Sequence, residues 1–173
     1  MRHFLAFCHI LHMHRFLFVS ANNRQTRMLA NLELVNCYNK TGMESEERDR
    51  IMLESAKENL LRMAFFGLTE LQAKSEYVFQ ETFNLKFKVK FLQYRRYHAS
   101  KIHDRISEAD VKKIEELNHL DVKLYEFAKE VMKGRFEEIK GRDPDFEVTW
   151  PDLARGEENQ IGDDHEEEDD YSY

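Results

Sequence analysis

The sequence predicts an α/β protein, and three observations predict it. Residues 83–91 alternate in character, with Phe83, Leu85, Phe87, Val89 and Phe91 on one side and Asn84, Lys86, Lys88 and Lys90 on the other, which is the period of a strand. The run "AFFG" reads as a short strand that leads through a turn into a helix. Between Ser107 and Met132, Val111, Ile114, Leu117, Leu124, Phe127 and Val131 fall on or near one face of a long amphipathic helix capped by Ser107.

The elements follow in order. The chain of 173 residues, 42% hydrophobic and 34% charged, has room for one ordinary core. Its first 20 residues, "MRHFLAFCHILHMHRFLFVS", are apolar, but His9, His12, His14 and Arg15 interrupt them. No run of about 18 uncharged apolar residues is left, as a membrane-crossing helix would need. The three histidines lack a carboxylate or cysteine at a ligating spacing, so no metal site is expected. Cys8 and Cys37 form neither a disulfide framework nor a zinc motif and leave the redox compartment open. Asn39-Lys40-Thr41 is an N-glycosylation acceptor if the chain enters the secretory pathway.

Thr41 and Glu44 offer a capping box for a helix over "ESEERDRIMLESAKENLLRM", in which Ile51, Leu53, Ala56 and Leu60 keep near-helical spacing. After "AFFG", Thr69 and Gln72 offer a second box that opens the helix "AKSEYVFQETF". A polar loop, "QYRRYHASKIHDR", separates the alternating run from Ser107. Two helix starts could take an anion: the one after "AFFG", and the one after Lys40-Thr41-Gly42, which looks like an abbreviated phosphate loop. An ordinary connection is the favoured reading of the first, and a single glycine without a second turn residue makes the second a weak phosphate loop. The lysines at 86, 88 and 90 could likewise do no more than guard an edge strand.

Charge is unevenly placed. From Asp143 onward there are 13 acidic residues and one basic, whereas residues 1–142 hold 20 acidic and 25 basic and are mildly basic. A dense acidic run with few aliphatic residues cannot offset its ordering entropy, so residues 137–173 are expected to form a disordered tail.

Four segments carry a resemblance. "ANNRQTRMLANLELVNCYN" (21–39), "LESAKENLLRMAFFGLTE" (53–70), "ETFNLKF" (81–87) and "IEELNHLDVKLYEFAK" (114–129), in this order and spacing, closely resemble the C-terminal half of the catalytic domain of heparan sulfate 6-O-sulfotransferases. The resemblance divides the chain into an unmatched apolar segment (1–20), a partial sulfotransferase domain (21–136) and the acidic tail (137–173). It implies the C-terminal part of a P-loop-like sulfotransferase fold. The family's members are Golgi enzymes, type II membrane proteins with a lumenal catalytic domain. They move sulfate from 3′-phosphoadenosine 5′-phosphosulfate (PAPS) to the 6-hydroxyl of glucosamine in a heparan sulfate chain. Neither a metal nor a nucleic acid enters that reading, and the membrane anchor belongs to the full-length family.

By the same resemblance, "TFNLKF" lies beside the nucleotide, which makes Thr82, Phe83 and Asn84 cofactor contacts. Lys88 stands where the family has an arginine nearby, and a point charge does not replace a planar fork without loss. Asn39 becomes the glycan site, and Lys40-Thr41-Gly42 falls in the glycosylated loop, away from the cofactor loop. Arg24 and Arg27 could support an anion or pair with local carboxylates. The family's 5′-phosphosulfate loop, its histidine base and its Arg/Ser pair precede "ANNRQTRML" and have no counterpart in residues 1–20, so no catalytic residue is assigned. Two functions are therefore expected: a truncated form of a PAPS-dependent 6-O-sulfotransferase, whose competence alone the sequence leaves open, or a non-catalytic remnant that binds glycan or a partner protein.

Overall fold

The computed structural model describes residues 22–37, 39–88 and 107–156, and every regular element among them is helical. In chain order these are α1 (Arg24–Leu29), a 3-10 turn (Leu32–Val35), α2 (Ser45–Arg62), a second 3-10 turn (Thr69–Leu71), α3 (Gln72–Phe83), α4 (Glu108–Leu117), α5 (His119–Lys140), α6 (Phe146–Thr149) and α7 (Pro151–Ala154). No strand occurs among them, so the strand half of the expected α/β class is not seen in the described residues.

α5 is the spine. Leu120, Leu124, Ala128, Met132 and Phe136 recur every four residues and are all buried, a single row along one helix face. The row's first three members pack with Val35 and with Met52, Leu53, Ala56 and Leu60 of α2. Its last two pack with Ala73, Tyr77 and Val78 of α3 and with Phe146, Trp150 and Leu153. Phe66 and Leu68 touch both clusters and join them.

α1 and α5 cap one another. Asn23, at φ 51°, provides no side-chain cap to its own helix. Asp121 does so instead, accepting from the amides of Gln25 at 3.1 Å and Thr26 at 2.7 Å and from the Thr26 hydroxyl at 2.7 Å. In return the Asn23 Oδ1 accepts from the amides of Leu120 at 2.9 Å and Asp121 at 3.3 Å, which begin α5. Arg135 ties α5 to the end of α2: its Nη2 donates to the carbonyls of Leu61 at 3.1 Å and Met63 at 2.9 Å. Those carbonyls have no partner within the helix, so the guanidinium satisfies them.

Several expectations need correction. The helix read as continuous from Ser107 to Met132 breaks at Asn118 and resumes as α5, which runs on to Lys140. Ser107 does cap α4, accepting from the Asp110 amide at 3.2 Å. The break resets the helical phase, so Ile114 and Leu117 are exposed and the buried row begins at Leu120. Neither capping box forms. α2 starts after Glu44 without a side-chain cap, and Thr41 bonds to Asn39 instead. At α3, Ser75 reaches back to the amide and carbonyl of Leu68, while Thr69 opens a 3-10 turn. "AFFG" forms no strand: Ala64 is a bend and residues 65–67 have no regular structure.

The alternating run also differs. Thr82 and Phe83 complete the last turn of α3, and Asn84 ends it in the left-handed conformation at φ 51°. Phe79 and Phe83 lie one helical turn apart within α3, so the start of the run follows the helix and not the two-residue alternation. The rest of the run, from Val89, lies outside the described residues. Finally, the acidic segment is helical as far as Ala154: Phe146, Trp150 and Leu153 are buried although acidic residues flank them. The segments 1–20 and 157–173, with the four histidines of the former, lie outside the described residues.

Candidate functional site

Thr82, Phe83 and Asn84 sit together at the C-terminal end of α3, and all three are exposed. The backbone there closes in a Schellman-type ending. Asn84 is left-handed, and the Leu85 amide donates to the Gln80 carbonyl at 3.0 Å. Asparagine tolerates that conformation better than most residues, so its type is dictated by the turn before any ligand is considered. The Thr82 hydroxyl and the Asn84 carboxamide make no hydrogen bond to another described residue.

The Phe83 ring is 44% exposed but held from behind. Phe79 lies 4.9 Å away, centroid to centroid, and Phe65 meets it near edge-on at 6.4 Å. Phe87 stacks on Phe79 at 5.2 Å. Such rings form a stiff apolar platform with one face open. Phe65 and Phe79 were not singled out from the sequence, although the four-residue spacing of Phe79, Phe83 and Phe87 was visible. Lys88 is exposed four residues beyond Asn84, outside the helix.

The electrostatics sort these residues. A helix C-terminus carries partial negative charge and exposed carbonyls, which repel phosphate and suit a neutral hydrogen-bonding group. Thr82, Phe83 and Asn84 thus present an uncharged hydroxyl, ring and carboxamide at that end. Lys86 and Lys88, just beyond the helix end, are both exposed.

The Lys40-Thr41-Gly42 loop offers no rival site. α2 opens with Glu46 and Glu47 in its first turn, so the dipole is already met by carboxylates that would repel an anion. The loop itself is held from below. Buried Arg48 donates to the carbonyls of Val35, Cys37 and Asn39, the last at 3.2 Å. Asn39 Oδ1 accepts from the Thr41 amide at 3.0 Å and hydroxyl at 2.7 Å, and the whole triplet is exposed. Arg24 is exposed on α1 and Arg27 is half-buried.

A protein-family model described as Sulfotransferase family matches residues 1–128. The chain belongs to this sulfotransferase family. The match takes in the first 20 residues, which the four motif segments leave out, and it stops before α6 and α7.

The chain is 48% identical over 123 residues to heparan-sulfate 6-O-sulfotransferase 2 of Gallus gallus, covering 71% of this chain and 30% of that protein. It is 52% identical over 120 residues to heparan-sulfate 6-O-sulfotransferase 3 of Homo sapiens, covering 69% and 25%. To heparan-sulfate 6-O-sulfotransferase 1 of Homo sapiens it is 50% identical over 117 residues, covering 68% and 28%. The matched part of the chain thus spans less than a third of these relatives' length.

Proposed function

We propose that this chain is part of a heparan sulfate 6-O-sulfotransferase of P-loop-like α/β fold, and that the end of α3 contacts the nucleoside of PAPS. The observation that carries this reading is identity near one half, over more than two thirds of the chain, to three proteins named for that activity. In the reaction, the acceptor 6-hydroxyl oxygen bonds to sulfur while the sulfur–oxygen bond to the 5′-phosphate breaks. The hydroxyl proton passes to a base, and 3′-phosphoadenosine 5′-phosphate leaves.

In this scheme Phe83 packs beside the base or ribose, Thr82 and Asn84 hydrogen-bond it, and Lys88 meets phosphate charge. No described residue is assigned as the base. The compartment proposed is the Golgi lumen, reached by a type II membrane protein. One feature supports it: the glycan acceptor Asn39 lies exposed, with Thr41 hydrogen-bonded to it.

Calorimetric titration of the 173-residue chain with 3′-phosphoadenosine 5′-phosphate tests the site. Thr82→Ala and Asn84→Gly are each expected to weaken binding about five- to tenfold, the worth of one hydrogen bond. Glycine is the right replacement at 84 because it keeps the left-handed turn and removes only the carboxamide. A folded chain with no affinity for the nucleotide would refute the assignment and leave the second reading, a non-catalytic remnant that binds glycan or a partner.

A further inference from the structure

Residues 143–156 lie beyond the residues 1–128 matched by the family, yet they complete the core that seats α3. Phe146, Trp150 and Leu153 are buried there with Ala73, Tyr77 and Val78 of α3. The central contact is Tyr77, which is fully buried. Three rings meet it edge-on, with centroids at 5.7 Å (Phe136), 5.0 Å (Phe146) and 5.5 Å (Trp150). Its hydroxyl donates to Asp143 Oδ2 at 3.1 Å. Lys140 covers the outer side, 5.2 Å from the Phe146 centroid and 5.9 Å from that of Phe136.

α3 also meets α5, through Met132 and Phe136, but two helices in contact along one line can roll against each other. A ring wedged among three others and bonded at its tip removes that freedom. Phe83 and Asn84 lie six and seven residues further along the same helix, about 9 Å down its axis at the usual rise. Roll at Tyr77 would therefore turn the candidate site with it.

We propose that residues 143–156 are a positioning clamp for α3, in which Asp143, Phe146 and Trp150 hold the helix in the rotation that presents Thr82, Phe83 and Asn84 to the nucleotide. The proposal rests on the nucleotide assignment above. The clamp residues act through Tyr77 and are positioning residues, not ligand contacts.

The test uses the full chain with Asp143→Ala, Trp150→Ala and Trp150→Phe, and Leu124→Ala in the first core as a control for lost stability. Hydrogen exchange is read at the amides of Asn84 and Leu85, both of which bond to the Gln80 carbonyl. Asp143→Ala and Trp150→Ala should speed exchange there at least about tenfold beyond the control at matched stability, as a locally opened helix end does. They should also weaken 3′-phosphoadenosine 5′-phosphate binding about fivefold or more, with Trp150→Phe restoring most of both. Exchange no faster than in the control would overturn the clamp, whatever the nucleotide does. Faster exchange with unchanged affinity would overturn its positioning role. Faster exchange in a chain whose wild type binds no nucleotide would uphold the mechanical coupling and sink the nucleotide assignment instead.

Discussion

At Asp121 one carboxylate satisfies three donors from a helix almost a hundred residues earlier, and Thr26, which gives two of them, is fully buried. Hydrogen bonds to a charged acceptor are worth about 1.5–3 kcal/mol, and a lost cap costs about 0.5–2 kcal/mol. Asp121→Ala is expected to lower the unfolding free energy by about 2–3 kcal/mol, since it strands the Thr26 hydroxyl and amide away from water. Asp121→Asn, which keeps one acceptor oxygen, should lose about half as much. Urea unfolding of both variants measures this, and a loss below about 0.5 kcal/mol for the alanine would mean that water replaces the carboxylate. The sequence marks "NNRQTRML" and "LNHLDVKLY" as notable but does not show that they meet. Cross-capping between distant segments leaves no local period to read.

Among the elements, α2 and α3 were legible because each satisfies its own pattern: apolar residues at helical spacing, and no proline within either helix. Their starts were not legible, because the threonines chosen as caps found other partners. The strand at 83–91 failed for a related reason. Its first residues belong to a helix whose ring row competes with the alternation. The 143–156 segment was misread through its charge, since three large apolar residues in fourteen are enough to dock when a ring such as Tyr77 awaits them. Burial and the Asp143 contact push the Tyr77 phenol up from its ordinary value, the mark of a neutral ring held in a dry site. Within α5, Gly134 stands in mid-helix, and a Cβ there would meet nothing within 4 Å. Gly134→Ala should therefore stabilise the chain by about 0.5–1 kcal/mol, since alanine lowers the entropy of the unfolded backbone. Thermal unfolding checks it. A destabilised variant would show that the helix needs the glycine for a bend or for an approach that the described contacts do not contain.

On the scale of the whole molecule, one helix threads both cores, so neither can be lost alone without exposing half of the same buried row. Trp150 is the single tryptophan and lies in the second core, only 8% exposed, so its emission reports that core by itself. Ellipticity reports all the helices, and α2 and the first half of α5 contribute much of it. If the two cores are one cooperative unit, the transitions seen by fluorescence and by ellipticity should coincide. Leu124→Ala, in the first core and far along the row from Trp150, should shift both by the same amount, about 2–5 kcal/mol for a buried leucine. An earlier fluorescence transition would mean that residues 143–156 and the second core open as a separate unit. The end of α3 would then come loose before the rest of the fold, and a nucleotide bound there would stabilise the fluorescence transition more than the ellipticity one.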